Sequence, residues 1–129
     1  MNIFELQQDF MSAAGQETKQ YNKEQVNLYE KLIDEEAKEF LDAAYDDYAE
    51  FTIKEACDVI VVASGYLISM LGADNASEAY NIVHQNNIAK VTGKIEKRAD
   101  GKILKGDTNK AERKAKMMGD LLELLNAVN

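Results

Sequence analysis

The stretch whose reading decides the fold runs from Asp34 to Asp58, DEEAKEFLDAAYDDYAEFTIKEACD. It carries two acid pairs at helical spacing, Glu36 with Glu39 and Glu55 with Asp58. On a helix, residues three apart share a face with Cβ atoms about 5–6 Å apart, so each pair offers two carboxylates to one partner. A solvated acidic face is the bland alternative, and angular position argues against it. With Leu28 set at zero and about 100° per residue, Leu32 falls at about 40°, Glu36 at about 80°, Glu39 at about 20° and Ala43 at about 60°. Glu36 and Glu39 therefore lie inside the apolar stripe, Glu35 stands at its edge, and Lys31, Asp34 and Lys38 take the opposite side.

Asp58 opens the run Asp58 to Leu71, DVIVVASGYLISML, in which it carries the only charge at neutral pH. A helix apolar on nearly all sides is expected to be buried. A buried carboxylate then needs a cationic partner, several hydrogen bonds or a proton. Two facing helices, each with an acid pair turned inward, would enclose four carboxylates, which a divalent cation neutralises most simply.

Composition narrows the classes. The chain has 129 residues, enough for one domain over 1–129 with a sizeable core. A net charge of −8 argues against a nucleic-acid polymer as partner, because phosphate backbones need clustered Lys and Arg. The single cysteine, Cys57, rules out an intramolecular disulfide and reads as a small core residue. The longest apolar run, Val59 to Leu71, is too short to span a bilayer, so no membrane partner is expected and the expected location is cytoplasmic.

Proline is absent and the periodicity is helical throughout, which predicts an all-α protein of about five helices. Asn2 is expected to cap a first helix ending near Ala14, with Ile3, Leu6, Phe10 and Ala14 as its apolar stripe. Asn22 with Gln25 resembles a capping box for a second helix reaching about Tyr48, and Thr52 with Glu55 a further one for a third helix over 53–71. Under that second reading Glu55 is merely a cap partner. Gly65 implies close packing of a neighbouring helix, or a bend. Asn75 with Glu78 is expected to cap a fourth helix reaching about Val91. Residues 92–107, TGKIEKRADGKILKGD, form a basic, turn-rich loop with a short hairpin expected about Asp100-Gly101. Asp107 or Thr108 then caps a last amphipathic helix, whose apolar stripe reads as a packing or subunit surface.

Carboxylate oxygens favour Mg²⁺, Mn²⁺ or Ca²⁺ over zinc. Beside a lysine-bearing loop, such a cage suggests a phosphate ester or anhydride as substrate. No GxxxxGK[ST] loop is present. Glu35-Glu36-Ala37-Lys38-Glu39 with Glu55-Ala56-Cys57-Asp58 resembles the EExxE and ExxD signature of the MazG-like all-α nucleoside triphosphate pyrophosphohydrolases. Asn87 to Lys90 and Asp100-Gly101-Lys102-Ile103-Leu104-Lys105-Gly106 resemble the NxxK and DGKxxKG segments of the phosphoribosyl-ATP pyrophosphohydrolase-like branch, frequent in bacteriophages. The resemblance covers roughly residues 3 to 107.

What it implies is a four-helix-type core in a homodimer or homotetramer, and hydrolysis of a nucleoside triphosphate to the monophosphate and pyrophosphate. Glu36, Glu39, Glu55 and Asp58 would be metal ligands for Mg²⁺, with Mn²⁺ as substitute, and Glu35 a ligand or an orienter of water. Asn87 and Lys90 would meet the nucleotide, and Lys102 and Lys105 its phosphates. Tyr29 departs from the pattern, standing where the family places an arginine. A non-catalytic, metal-dependent nucleotide-binding helical module is the alternative from a different class.

Overall fold

The structure is a computed structural model that describes residues 1–46, 48–91, 96–105 and 110–128, and within its two short strands the side chain of Lys97 alone. It is all-α, as the periodicity predicts. The helices are α1 (Ile3–Ala13), α2 (Lys23–Tyr45), α3 (Ala49–Leu71), α4 (Ala73–Lys90) and α5 (Lys110–Val128). Between α4 and α5 lie β1 (Glu96–Lys97) and β2 (Ile103–Lys105), paired antiparallel with Glu96 opposite Lys105. The expected hairpin is therefore present. The expected cap at Asp107 or Thr108 lies outside the described residues. Residues Met1–Ala76 form one compact unit and residues 77–127 a second, with α4 beginning in the first and continuing in the second.

In the first unit, α2 packs along α3, and α1 packs on α3. The core joins Phe4, Met11, Tyr29, Val62, Ile68, Ala73 and Ala76. At its centre the Tyr29 ring lies directly against Gly65. A Cβ placed on Gly65 would come within 2.6 Å of Tyr29 Cζ and nearer still to Cε1. Of the two readings of Gly65, close packing is the one realised. The Tyr29 hydroxyl donates to Gln16 Oε1 at 2.7 Å and accepts from Gln7 Nε2 at 3.5 Å, so the buried ring keeps its polar end satisfied.

Helix ends follow the sequence in part. Asn2 and Asn22 cap α1 and α2, accepting from the backbone N–H of Glu5 and Gln25. Gln25 does not return the bond to Asn22 as a capping box requires. Its amide spans the neighbouring chain instead, donating to Glu17 O at 2.9 Å and Ser69 Oγ at 3.2 Å, while the Asn22 N–H donates to Ser69 O. The second helix stops at Tyr45, short of the expected Tyr48, and α3 starts at Ala49, four residues before the expected Ile53. Thr52 consequently sits inside the first turn, its hydroxyl donating to Tyr48 O, which leaves Glu55 free of any capping role. Gly72 ends α3 at φ 82° with Lys19 O against it, and α4 begins at once; Asn75 lies within α4 and donates back to Leu71 O.

Three burial expectations are corrected. The inward face of α1 is Phe4, Gln7 and Met11, because Gln7 must reach Tyr29, and this turns Ile3, Leu6 and Phe10 to the surface. The first half of the run Asp58 to Leu71 is not enclosed: Ile60 and Val61 are exposed, and burial begins at Val62. Cys57 is exposed rather than a core residue, lying in the N-terminal half of α3 ahead of the buried stretch that begins at Val62.

Gly65→Ala is expected to destabilise the protein by about 1–3 kcal/mol through overpacking against Tyr29, although alanine alone would favour the helix by about 1 kcal/mol. Urea denaturation checks this. Combined with Tyr29→Ala, the loss should fall short of the sum of the two single losses, since the clash disappears with the ring.

Candidate metal centre

Two long helices joined by a short connection lie antiparallel, so their residues pair off from any fixed contact. Tyr29 against Gly65 supplies that contact. Two turns further along α2 stands Glu36, and two turns back along α3 stands Asp58; one more turn brings Glu39 level with Glu55. Both acid pairs are thereby turned toward each other.

The side chains bear this out. Carboxylate oxygens of Glu36, Glu39 and Glu55 lie within 4.8 Å of one another, the spacing of groups that share a cation. Glu36 Oε2 and Glu55 Oε2 are buried from solvent without a hydrogen-bond partner. Orphaned carboxylate oxygens at one point leave the site short of positive charge. Glu36 is held above its ordinary pKa of 4.5, first by burial, then by the hydrogen bond its protonated form makes with Glu39, and then by the charges of Glu39, Asp58 and Glu55. Three oxygen donors that raise one another's energy in this way fit a hard divalent cation.

Asp58 adjoins the cluster and engages a residue that sequence reasoning missed. Lys54 places Nζ 2.7 Å from Asp58 Oδ2 and 3.4 Å from Glu55 Oε1. Those hydrogen bonds and charges, Asp58 foremost, hold its ammonium well above the ordinary lysine pKa. Asp58 thus has the cationic partner its half-buried position demands. The signal was present in KEACD, where lysine and aspartate stand four apart. Glu35 is exposed.

The remaining predicted residues belong to the second unit. Asn87 is exposed and Lys90 half-buried on α4. Lys102 is exposed in the hairpin turn, where its N–H donates to Asp100 Oδ1. The side chain of Lys105 lies outside the described residues. His84 and Tyr80 are exposed, whereas Tyr66 packs against the core. Between α4 and α5 a cleft of about 460 Å³ is lined by residues including Asn81, Gln85, Asn86 and Arg113, with Arg113 Nη1 donating to Asn86 Oδ1 at 2.8 Å.

Residues 5–87 match the model of the family described as phosphoribosyl-ATP pyrophosphohydrolase, a span that contains every acid of the cluster. The chain belongs to that family. No curated protein matches it. Family membership places the chain among the MazG-like pyrophosphohydrolases, which hydrolyse phosphoanhydride bonds and are in general divalent-metal dependent, in agreement with the glutamate cluster. The hairpin and α5 lie beyond the matched residues. Among the described residues no single helix is long and apolar enough to cross a membrane.

The raised Glu36 pKa gives a signed stability prediction for the metal-free protein. A carboxyl whose folded value exceeds its unfolded value is a liability at neutral pH, and the liability fades as pH falls through the raised value toward 4.5. Glu36→Gln should therefore melt higher than wild type at neutral pH in chelator, with the advantage gone below about pH 4. Thermal melts at the two pH values decide it.

Proposed function

We propose that the protein is a Mg²⁺-dependent nucleotide pyrophosphohydrolase, converting a nucleoside or deoxynucleoside triphosphate to its monophosphate and pyrophosphate. The observation that carries the reading is the convergence of Glu36, Glu39 and Glu55 with two buried carboxylate oxygens unpartnered. Glu36, Glu39, Glu55 and Asp58 hold the ion. When bound, Mg²⁺, or Mn²⁺ in its place, neutralises phosphate oxygens and acidifies coordinated water. Glu35, exposed and next to Glu36 in the chain, orients the attacking water. The likeness of the NxxK and DGKxxKG segments supports Asn87 and Lys90 as nucleotide contacts and Lys102 and Lys105 as phosphate contacts, where an ammonium offsets charge on the leaving pyrophosphate.

The working form is proposed to be a homodimer or homotetramer in the cytoplasm. What supports assembly is the apolar surface left uncovered on the first unit, including Leu6 and Phe10 of α1, Leu41 and Tyr45 of α2, and Phe51 and Ile53 of α3. Large apolar side chains left exposed in this way are what a subunit interface would cover.

With Mg²⁺ and a panel of nucleotides that includes phosphoribosyl-ATP, at least one substrate should yield pyrophosphate and the monophosphate by phosphorus NMR. Glu39→Gln or Asp58→Asn should lower turnover by about a hundredfold or more with the circular dichroism spectrum unchanged. Unchanged substrate across the panel, with either Mg²⁺ or Mn²⁺, contradicts the assignment. Sedimentation should report two or four chains per particle, and Phe10→Glu with Phe51→Glu should shift the particle toward the monomer.

A further inference from the structure

Lys54 is the cation that the described structure sets against these acids, and its seat is shared with the proposed metal. Its ammonium contacts Asp58 Oδ2 and Glu55 Oε1, oxygens of two of the four residues that would hold the ion. The same Glu55 has its second oxygen buried without a partner, as has Glu36. One ammonium at the rim therefore answers part of a larger negative charge and leaves the inner oxygens unsatisfied.

We propose that Lys54 is the resident counter-ion of the cluster, seated across Asp58 and Glu55 until a divalent ion takes its place, so that it sets the concentration at which the site loads. This rests on the reading of the cluster as a divalent-cation site. Geometry makes the exchange easy. The Lys54 side chain is 63% exposed, against 13% for Glu55 and 30% for Asp58, so the ammonium can swing into water while the carboxylates stay. An exposed ion pair one turn apart on a helix is worth only a few-fold in an equilibrium constant. A divalent ion meets several of these oxygens at once and carries twice the charge, so it displaces the lysine, at the expense of that few-fold.

Calorimetric titration with Mn²⁺ tests the exchange without reference to turnover. Lys54→Met should bind Mn²⁺ about three- to tenfold more tightly than wild type, and Lys54→Arg should stay near wild type because the counter-ion is retained. Lys38→Met is the control: Lys38 pairs with Asp34 and with none of the four proposed ligands, so losing its charge should leave affinity nearly unchanged. In the wild type, the Lys54 ammonium resonance should move during a Mg²⁺ titration. Equal or weaker Mn²⁺ binding by Lys54→Met, or an equal gain in Lys38→Met, overturns the exchange while leaving the cation site standing. No Mn²⁺ binding by any of the four proteins overturns the cation site itself, and the exchange with it.

Discussion

The Tyr29 ring seated against Gly65 fixes the register of α2 on α3, and the chemistry of the protein follows from that register. A glycine at this point removes the Cβ that would hold the helices apart, and the ring fills the space so made. Register then carries upward along both helices in whole turns, bringing Glu36 toward Asp58 and Glu39 toward Glu55. The ring is held in turn by Gln7 of α1 and Gln16 of the α1–α2 connection. A second clasp, Gln25 with Glu17 and Ser69, fastens the lower end of the pair. Tyr29 stands where the resemblance leads one to expect an arginine, and its burial in the core gives it a packing role.

Packing forces on the acids an arrangement they would not choose alone. Hydrophobic contact between α2 and α3 supplies the stabilisation, and the carboxylates at the upper end oppose it, as the raised Glu36 pKa and the orphaned oxygens record. Such opposition is how a binding site is prepared before its ligand arrives: the apolar core offsets the unfavourable gathering of charge, and a cation relieves it. Lys54 moderates the strain at the rim without reaching the inner oxygens.

Much of this was legible in the sequence, and the failures share a cause. Helical periodicity identified α1 to α5, and the angular positions of Glu36 and Glu39 placed them on the inward face, because an acid inside an apolar stripe turns toward whatever that stripe packs on. The hairpin about Asp100-Gly101 was legible from its turn chemistry, with Gly101 at φ 91°. What failed depended on contacts between distant segments. The face of α1 was misjudged because Ile3, Leu6 and Phe10 form as good a stripe as Phe4, Gln7 and Met11, and only the partner Tyr29 decides between them. Thr52 looked like a cap because local sequence does not reveal that Ala49 already begins the helix. Cys57 and Val61 read as core from the apolar run beside them, yet both are exposed, and burial on α3 starts only at Val62.

The central claim is that helix register gathers these carboxylates around one divalent ion, and its most direct test is anomalous diffraction at the manganese edge from crystals grown with Mn²⁺. A single strong peak per chain is expected within coordination distance, about 2.0–2.6 Å, of oxygens from Glu36, Glu39 and Glu55. A peak bound elsewhere, or none with those three side chains turned apart, would contradict it.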